Sequence, residues 1–207
     1  MLYLRALRNN EAFYAELADG RIKRLAGPPY EGAVYTGEEY DPAEVKLLPP
    51  CEPTKIVAVG LNYAKHAAEM KEKLIGSPVL FIKAPTSLIA HGETIVWPAA
   101  SQRVDYEAEL AVVIGKKCKG VSPEEASHYI FGYTALNDVT ARDLQKADGQ
   151  WTRAKSFDTF CPVGPYIDTA YNPAGRRVQS VVDGVIKQSG NTDDMLFSPA
   201  ELVSFIS

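Results

Sequence analysis

The chain has 207 residues, 46% of them hydrophobic and 23% charged, which is ordinary for a globular protein and enough for one large core with a small appendage. With 22 Lys and Arg against 26 Asp and Glu, the net charge of −4 provides no basic field for nucleic acid or for an anionic membrane surface. Cys51, Cys118 and Cys161 are too far apart for a CxxC zinc site and odd in number for a disulfide framework, and no apolar run resembles a signal or a membrane span, so a cytoplasmic location is expected.

In chain order, residues 1 to 50 predict a small β-rich module. Short strands are expected around Leu2 to Leu7, Ala12 to Leu17 and Ile22 to Leu25, separated by the turn signals Asn9-Asn10 and Asp19-Gly20. Pro49, Pro50 and Pro53 then punctuate the chain ahead of an apolar strand from Lys55 to Gly60, which places the start of the main domain near residue 51. Gly60 opens a turn into good helix formers, with Asn62 as a candidate N-cap. His66 and Glu69 stand at i and i+3, so on a helix they share a face, where a carboxylate can orient an imidazole as a general base. A solvated surface pair has the same spacing. Val79 to Lys83 predicts a buried strand whose terminal lysine faces either an anionic ligand or solvent.

The stretch Val104 to Gly115, VDYEAELAVVIG, is where apolar residues alternate strictly with carboxylates. As one strand it would carry Val104, Tyr106, Ala108, Leu110, Val112 and Ile114 on one face and Asp105, Glu107 and Glu109 on the other, before Ala111 and Val113 lead into a stretch buried on both sides. Glu107 and Glu109 would then lie about 7 Å apart, at roughly 3.4 Å per residue. Two desolvated carboxylates at that spacing repel one another unless a cation lies between them, so the choice is a hard-cation site or an acidic outer face.

Ser122, Pro123 and Glu125 form a capping box with proline at the first helical position. The polar run from Ala135 to Gln145 follows an aromatic-rich strand, and within it Asp138 is a candidate third oxygen ligand. Lys155 lies in an aromatic setting between Trp151 and Phe157. Asp183-Gly184 predicts a hairpin turn between Arg177 and Asn191. Ser198 and Glu201 form a second capping box on a helix that has a start and no stop signal, so the sequence is expected to end inside it.

Taken together, GLNYAKHAAEM, VLFIKAPTSL, VDYEAELAVVIG, NDVTARDLQ, WTRAKSFDTFCPVGP and GNTDDMLFS, in this order and spacing, resemble the fumarylacetoacetate hydrolase family from about residue 51 onward. The first fifty residues resemble the small extra domain of bacterial members related to 2-hydroxyhepta-2,4-diene-1,7-dioate isomerases and acylpyruvate hydrolases. The resemblance implies an α+β fold: a mixed, strongly curved β-sheet roll over residues 51–207, shorter at its C-terminus than in the family, behind a β module over residues 1–50. It also implies a homodimer.

By the same resemblance, Glu107, Glu109 and Asp138 bind Mg²⁺ or Mn²⁺, Lys155 is the active-site lysine, and Lys83, Gln145 and Arg142 face the substrate. His66 and Glu69 match a water-activating dyad on a segment that closes over the substrate. The function implied is metal-dependent hydrolysis of a C–C bond in a β-diketo acid, with isomerase or oxaloacetate decarboxylase chemistry on the same site as alternatives. A catalytically silent metal- or ligand-binding protein is the alternative of another class.

Overall fold

The turns expected at Asn9-Asn10 and Asp19-Gly20 form with positive φ at all four residues (49° and 63°, 54° and 73°), the backbone of a tight hairpin turn whose twist suits the flanking strands. Leu2–Arg8 (β1), Glu11–Ala18 (β2) and Arg21–Leu25 (β3) therefore run as an antiparallel meander, which Tyr35–Tyr40 (β4) extends beyond β3. Lys46–Leu48 (β5) pairs with β1. Leu4, Ala6, Phe13, Ala15 and Ile22 form the core beneath this meander, and Tyr40, Leu47 and Tyr166 pack against it.

The computed structural model describes residues 1–63 and 76–207. Past the prolines come Ile56–Gly60 (β6), Val79–Lys83 (β7), Leu88–Ile89 (β8), Val104–Asp105 (β9) and Ala108–Ile114 (β10). Pro123–Ala126 (α1) and Ile130–Asn137 (β11) follow, then Thr140–Ala141 (β12), Arg142–Asp148 (α2) and Thr152–Lys155 (α3). Cys161–Pro162 (β13), Ile167–Asp168 (β14), the hairpin of Arg177–Val182 (β15) and Val185–Asn191 (β16), and Pro199–Ile206 (α4) complete the order. Both capping boxes form, Ser122 with Glu125 on α1 and Ser198 with Glu201 on α4. None of the helices among the described residues is long and apolar enough to cross a membrane.

The main sheet runs in the order β10-β11-β14-β1-β2-β3-β4, with β5 alongside β1 as its eighth strand. The N-terminal meander thus continues the sheet of the main domain, because β1 pairs with β14 through Leu2↔Asp168 and Tyr3↔Ile167. Smaller pairs surround it: β6 with β7, β9 with β12 and β15 with β16 are antiparallel, and β8 with β13 is parallel. This is the α+β architecture expected, but among the described residues the main sheet is antiparallel throughout rather than mixed, and the one parallel pair, β8 with β13, stands apart from it.

The carboxylate stretch is not one strand. It breaks at Tyr106 and Glu107, where the chain leaves β12 (Asp105↔Thr140) and takes up β11 (Ala108↔Asn137). Side-chain and backbone bonds drive the break: the Glu107 amide donates to Asn137 Oδ1 (2.9 Å), and the Glu107 carbonyl accepts from the Asp138 amide (2.8 Å). Nor is its apolar face buried throughout, since Tyr106 and Ile114 remain 41% and 44% exposed.

Candidate active site

A second core cluster, Val139, Ala141, Ala154 and Phe160 with Val104, Leu144 and Phe157 packed on it, lies directly behind the charged residues. Burying a side chain such as Val139 stabilises by about 1.5–3 kcal/mol, and it fixes Asp138 and Lys155, the chain neighbours of Val139 and Ala154. Those two side chains meet: Lys155 Nζ donates to Asp138 Oδ2 at 2.6 Å and to Glu107 Oε2 at 2.7 Å. Lys83, at the end of β7, donates to the other Asp138 oxygen at 2.7 Å and also to the carbonyls of Val139 (3.4 Å) and Lys155. Asp138 therefore has one lysine on each oxygen. Lys83 is 0% exposed, Lys155 2% and Asp138 5%.

Arg142, the first residue of α2, holds the acidic stretch from the other side. Its guanidinium donates to Glu107, to Asp105 Oδ2 (2.9 Å) and to Gln145 Oε1 (2.7 Å). The wall beyond is aromatic: Lys155 Nζ lies 5.0 Å from the centre of the Phe81 ring, and Trp151 meets Phe81 edge-on at 5.3 Å. Trp151 needs the bare backbone of Gly60, because a Cβ there would stand 2.7 Å from its ring.

The two glutamates differ in environment. Burial opposes ionisation of Glu107, but the Lys155 ammonium and the Arg142 guanidinium outweigh it and hold its carboxyl below the usual range. Glu109 has no such partner among the described residues. Burial first, then the charges of Glu107 and Asp138, push its carboxyl up to about 8, and no hydrogen bond from the described residues reaches it. Burial pulls the Lys83 ammonium down against the opposing pull of Asp138. The Tyr63 hydroxyl, also raised by burial and by the nearby Glu109 charge, is buried and unpartnered among the described residues.

The donor set has the chemistry of a hard divalent cation site. Glu107, Glu109 and Asp138 offer carboxylate oxygens within electrostatic reach of one another, and the ammonium of Lys155 marks where positive charge is favoured between two of them. Among the described residues, no three His, Cys, Asp or Glu side chains close around a single point. Glu107 and Asp138 converge on Lys155, with the uncompensated Glu109 alongside.

Residues 55–207 match the family described as Fumarylacetoacetate (FAA) hydrolase C-terminal. The chain belongs to the fumarylacetoacetate hydrolase family. Residues 1–50 match a second description, Rv2993c-like, N-terminal. Over 205 residues the chain is 38% identical to the 2,4-didehydro-3-deoxy-L-rhamnonate hydrolase of Sphingomonas sp., a match covering 92% of this chain and 72% of that protein. Over 165 residues it is 40% identical to the mitochondrial oxaloacetate tautomerase Fahd2a of Rattus norvegicus, covering 78% of this chain and 53% of the relative. The solved structure of 5-carboxymethyl-2-hydroxymuconate delta-isomerase from Mycobacterium smegmatis superposes with a TM-score of 0.93 at 37% identity, over 100% of this chain and 82% of that one. By these names, the family includes hydrolases, tautomerases and isomerases.

Within this family fold, Glu107, Asp138, Lys155, Lys83 and Arg142 form one hydrogen-bonded network, and Gln145 is tied to it through Arg142. Lys83, expected to face the substrate, has no exposed surface and lies beneath Asp138. His66 and Glu69 lie outside the described residues. Asn62 uses its carboxamide to clasp Phe197: Oδ1 accepts from the Phe197 amide (2.9 Å), and Nδ2 donates to its carbonyl (3.0 Å); the segment it was expected to cap lies outside the described residues. This clasp ties the GLNY and GNTDDMLFS motifs together. Asn137 and Gln188 also contact the carboxylate stretch, and neither was expected to; the one signal for them in the sequence is the position of Asn137 beside Asp138.

Proposed function

We propose that this chain is a Mg²⁺- or Mn²⁺-dependent enzyme that hydrolyses a C–C bond in a 2-oxo acid of the β-diketo class, such as an acylpyruvate. The observation that carries the reading is the position of the buried Lys155 ammonium, 2.6 and 2.7 Å from Asp138 and Glu107, with the buried acid Glu109 beside them. Glu107, Glu109 and Asp138 would hold the ion, which when bound supplies a Lewis acid for the substrate's oxygens. Lys155 Nζ supplies fixed positive charge in a site with little water, where negative charge developing on an enolate oxygen is strongly stabilised. Lys83 holds Asp138 in place from the core side. Arg142 keeps Glu107 ionised and presents Gln145. His66, paired with Glu69, would take the proton from the attacking water.

A second reading, isomerisation or tautomerisation of an enolisable acid, is favoured by one feature: the buried Lys155 ammonium would offer positive charge to an enolate oxygen, a role that needs no water-activating base. The two readings part at His66. An assay of acylpyruvates, oxaloacetate and a dienol diacid, with Mg²⁺ and with chelator, is expected to show metal-dependent cleavage that falls by about 10²- to 10⁴-fold in His66→Ala. Unchanged cleavage in that variant would remove the hydrolytic reading and leave the isomerase. A homodimer is part of the proposal, supported by exposed apolar side chains at Val181, Val182, Val185 and Ile186 on the tip of the β15–β16 hairpin.

A further inference from the structure

The segment that carries Glu107 and Glu109 lies on an edge. β10 is the terminal strand of the main sheet, with β11 on one side only. Glu107 and Glu109 turn their backbone groups toward the β11 side, where Asn137, Asp138 and Leu136 meet them. Among the described residues no strand pairs with Ala108, between the two glutamates, on its outer side, although β15 packs close to β10. Backbone polar groups withdrawn from water need partners, and an open edge has none to give.

The partner is a side chain eighty residues away in sequence. Gln188, in the middle of β16, accepts from the Ala108 amide with Oε1 at 2.7 Å and donates from Nε2 to the Ala108 carbonyl at 3.3 Å. Its carboxamide thereby fills both hydrogen-bonding positions that a neighbouring strand would occupy at that one residue. The same Oε1 accepts from Ser180 Oγ at 3.0 Å, which fixes the amide's orientation from β15. The backbone of Glu107 and Ala108 is thus held by two side-chain amides from separate elements, Asn137 on one edge and Gln188 on the other.

We propose that Gln188 is a positioning residue for the carboxylate pair: by gripping Ala108 on the open edge, it sets the separation and direction of Glu107 and Glu109. The proposal rests on the reading of these two glutamates as metal ligands. Gln188 touches neither carboxylate and reaches them through the backbone between them. Glutamine suits the task because only an amide offers a donor and an acceptor at the spacing of a peptide group. Methionine at this position keeps the length and loses both bonds; asparagine keeps the amide and loses the reach.

The test uses the full chain in the forms Gln188→Met and Gln188→Asn, with Lys187→Ala, an exposed neighbour on the same strand, as the control. Three quantities are measured: Mn²⁺ affinity by calorimetry, hydrogen exchange at the Ala108 amide, and the thermal midpoint. Outer residues that orient metal ligands are typically worth about 10- to 100-fold in metal affinity. Both Gln188 variants are expected to bind Mn²⁺ more weakly by that factor and to exchange the Ala108 amide faster, while the midpoint stays near that of the native chain and Lys187→Ala changes nothing. If one variant does not fold, the other decides. Native Mn²⁺ affinity in a folded Gln188 variant overturns the positioning role while leaving the metal reading intact. Absence of Mn²⁺ binding by the native chain overturns the metal reading, and the positioning role falls with it.

Discussion

The N-terminal meander and the charged centre use the same residue types in opposite surroundings. Around the β2–β3 turn the charges are open to water: Lys23 on β3 pairs with Asp19 in the turn at 3.0 Å, and the Asp19 side chain is 86% exposed. Around Asp138 the lysines are buried, and each oxygen of the carboxylate has its own ammonium. An exposed pair gains little, because attraction in water is weak and ordering two long side chains costs entropy. A buried network is different: each member was withdrawn from water, and the loss of one leaves the others uncompensated. The meander's stability accordingly comes from Leu4, Phe13 and Ile22 beneath it, whereas the centre depends on a complete set of partners.

Substitutions can break this contrast at either end. Asp138→Ala leaves two buried ammonium groups facing each other, and denaturant unfolding is expected to show a loss of about 3–5 kcal/mol, the usual cost of removing one partner from a buried pair. Turnover of any substrate should vanish with it. A loss no larger than that of a surface substitution would mean that the network is solvated in solution.

A smaller effect is expected from pH. The Glu109 carboxyl has a folded value of about 8 against an ordinary 4.5, so its protonated form is the one that suits the fold. The stability it contributes is fully present below 4.5 and is lost as pH rises through about 8. In chelator, the denaturation midpoint should fall across that window, and Glu109→Gln should flatten the fall. An unchanged slope in the glutamine variant would place the titrating group elsewhere. The smallest effect belongs to the meander: Lys23→Ala should leave the thermal midpoint where it is, and a clear drop would show that its surface pairs matter more than their exposure implies.

What could be read from the sequence follows the range of the interactions. Hairpin turns at Asn9-Asn10, Asp19-Gly20 and Asp183-Gly184, and the capping boxes at Ser122 and Ser198, are decided within a few residues, and all of them formed as expected. The break at Glu107 was hidden because it is made by the Asn137 side chain and the Asp138 amide, about thirty residues on. The direction of Lys83 was ambiguous for the same reason, since its choice between solvent and core depends on Asp138, 55 positions away. The bond from Asn62 to Phe197 was out of sight for the same reason, since the two are 135 residues apart. Chemistry-bearing residues were visible as types in a motif; the partners that orient them, Arg142 on Glu107 and Gln188 on Ala108, required the fold.

Whether Glu107, Glu109 and Asp138 serve one divalent ion is decided by calorimetric titration of Mn²⁺ into the chelator-treated chain. One ion per chain is expected, with binding strengthened by oxalate as a mimic of a 2-oxo acid, and with Glu107→Gln, Glu109→Gln and Asp138→Asn each weakening it at least tenfold. Mn²⁺ binding that is unaltered in all three variants, or absent from the native chain, would contradict the claim.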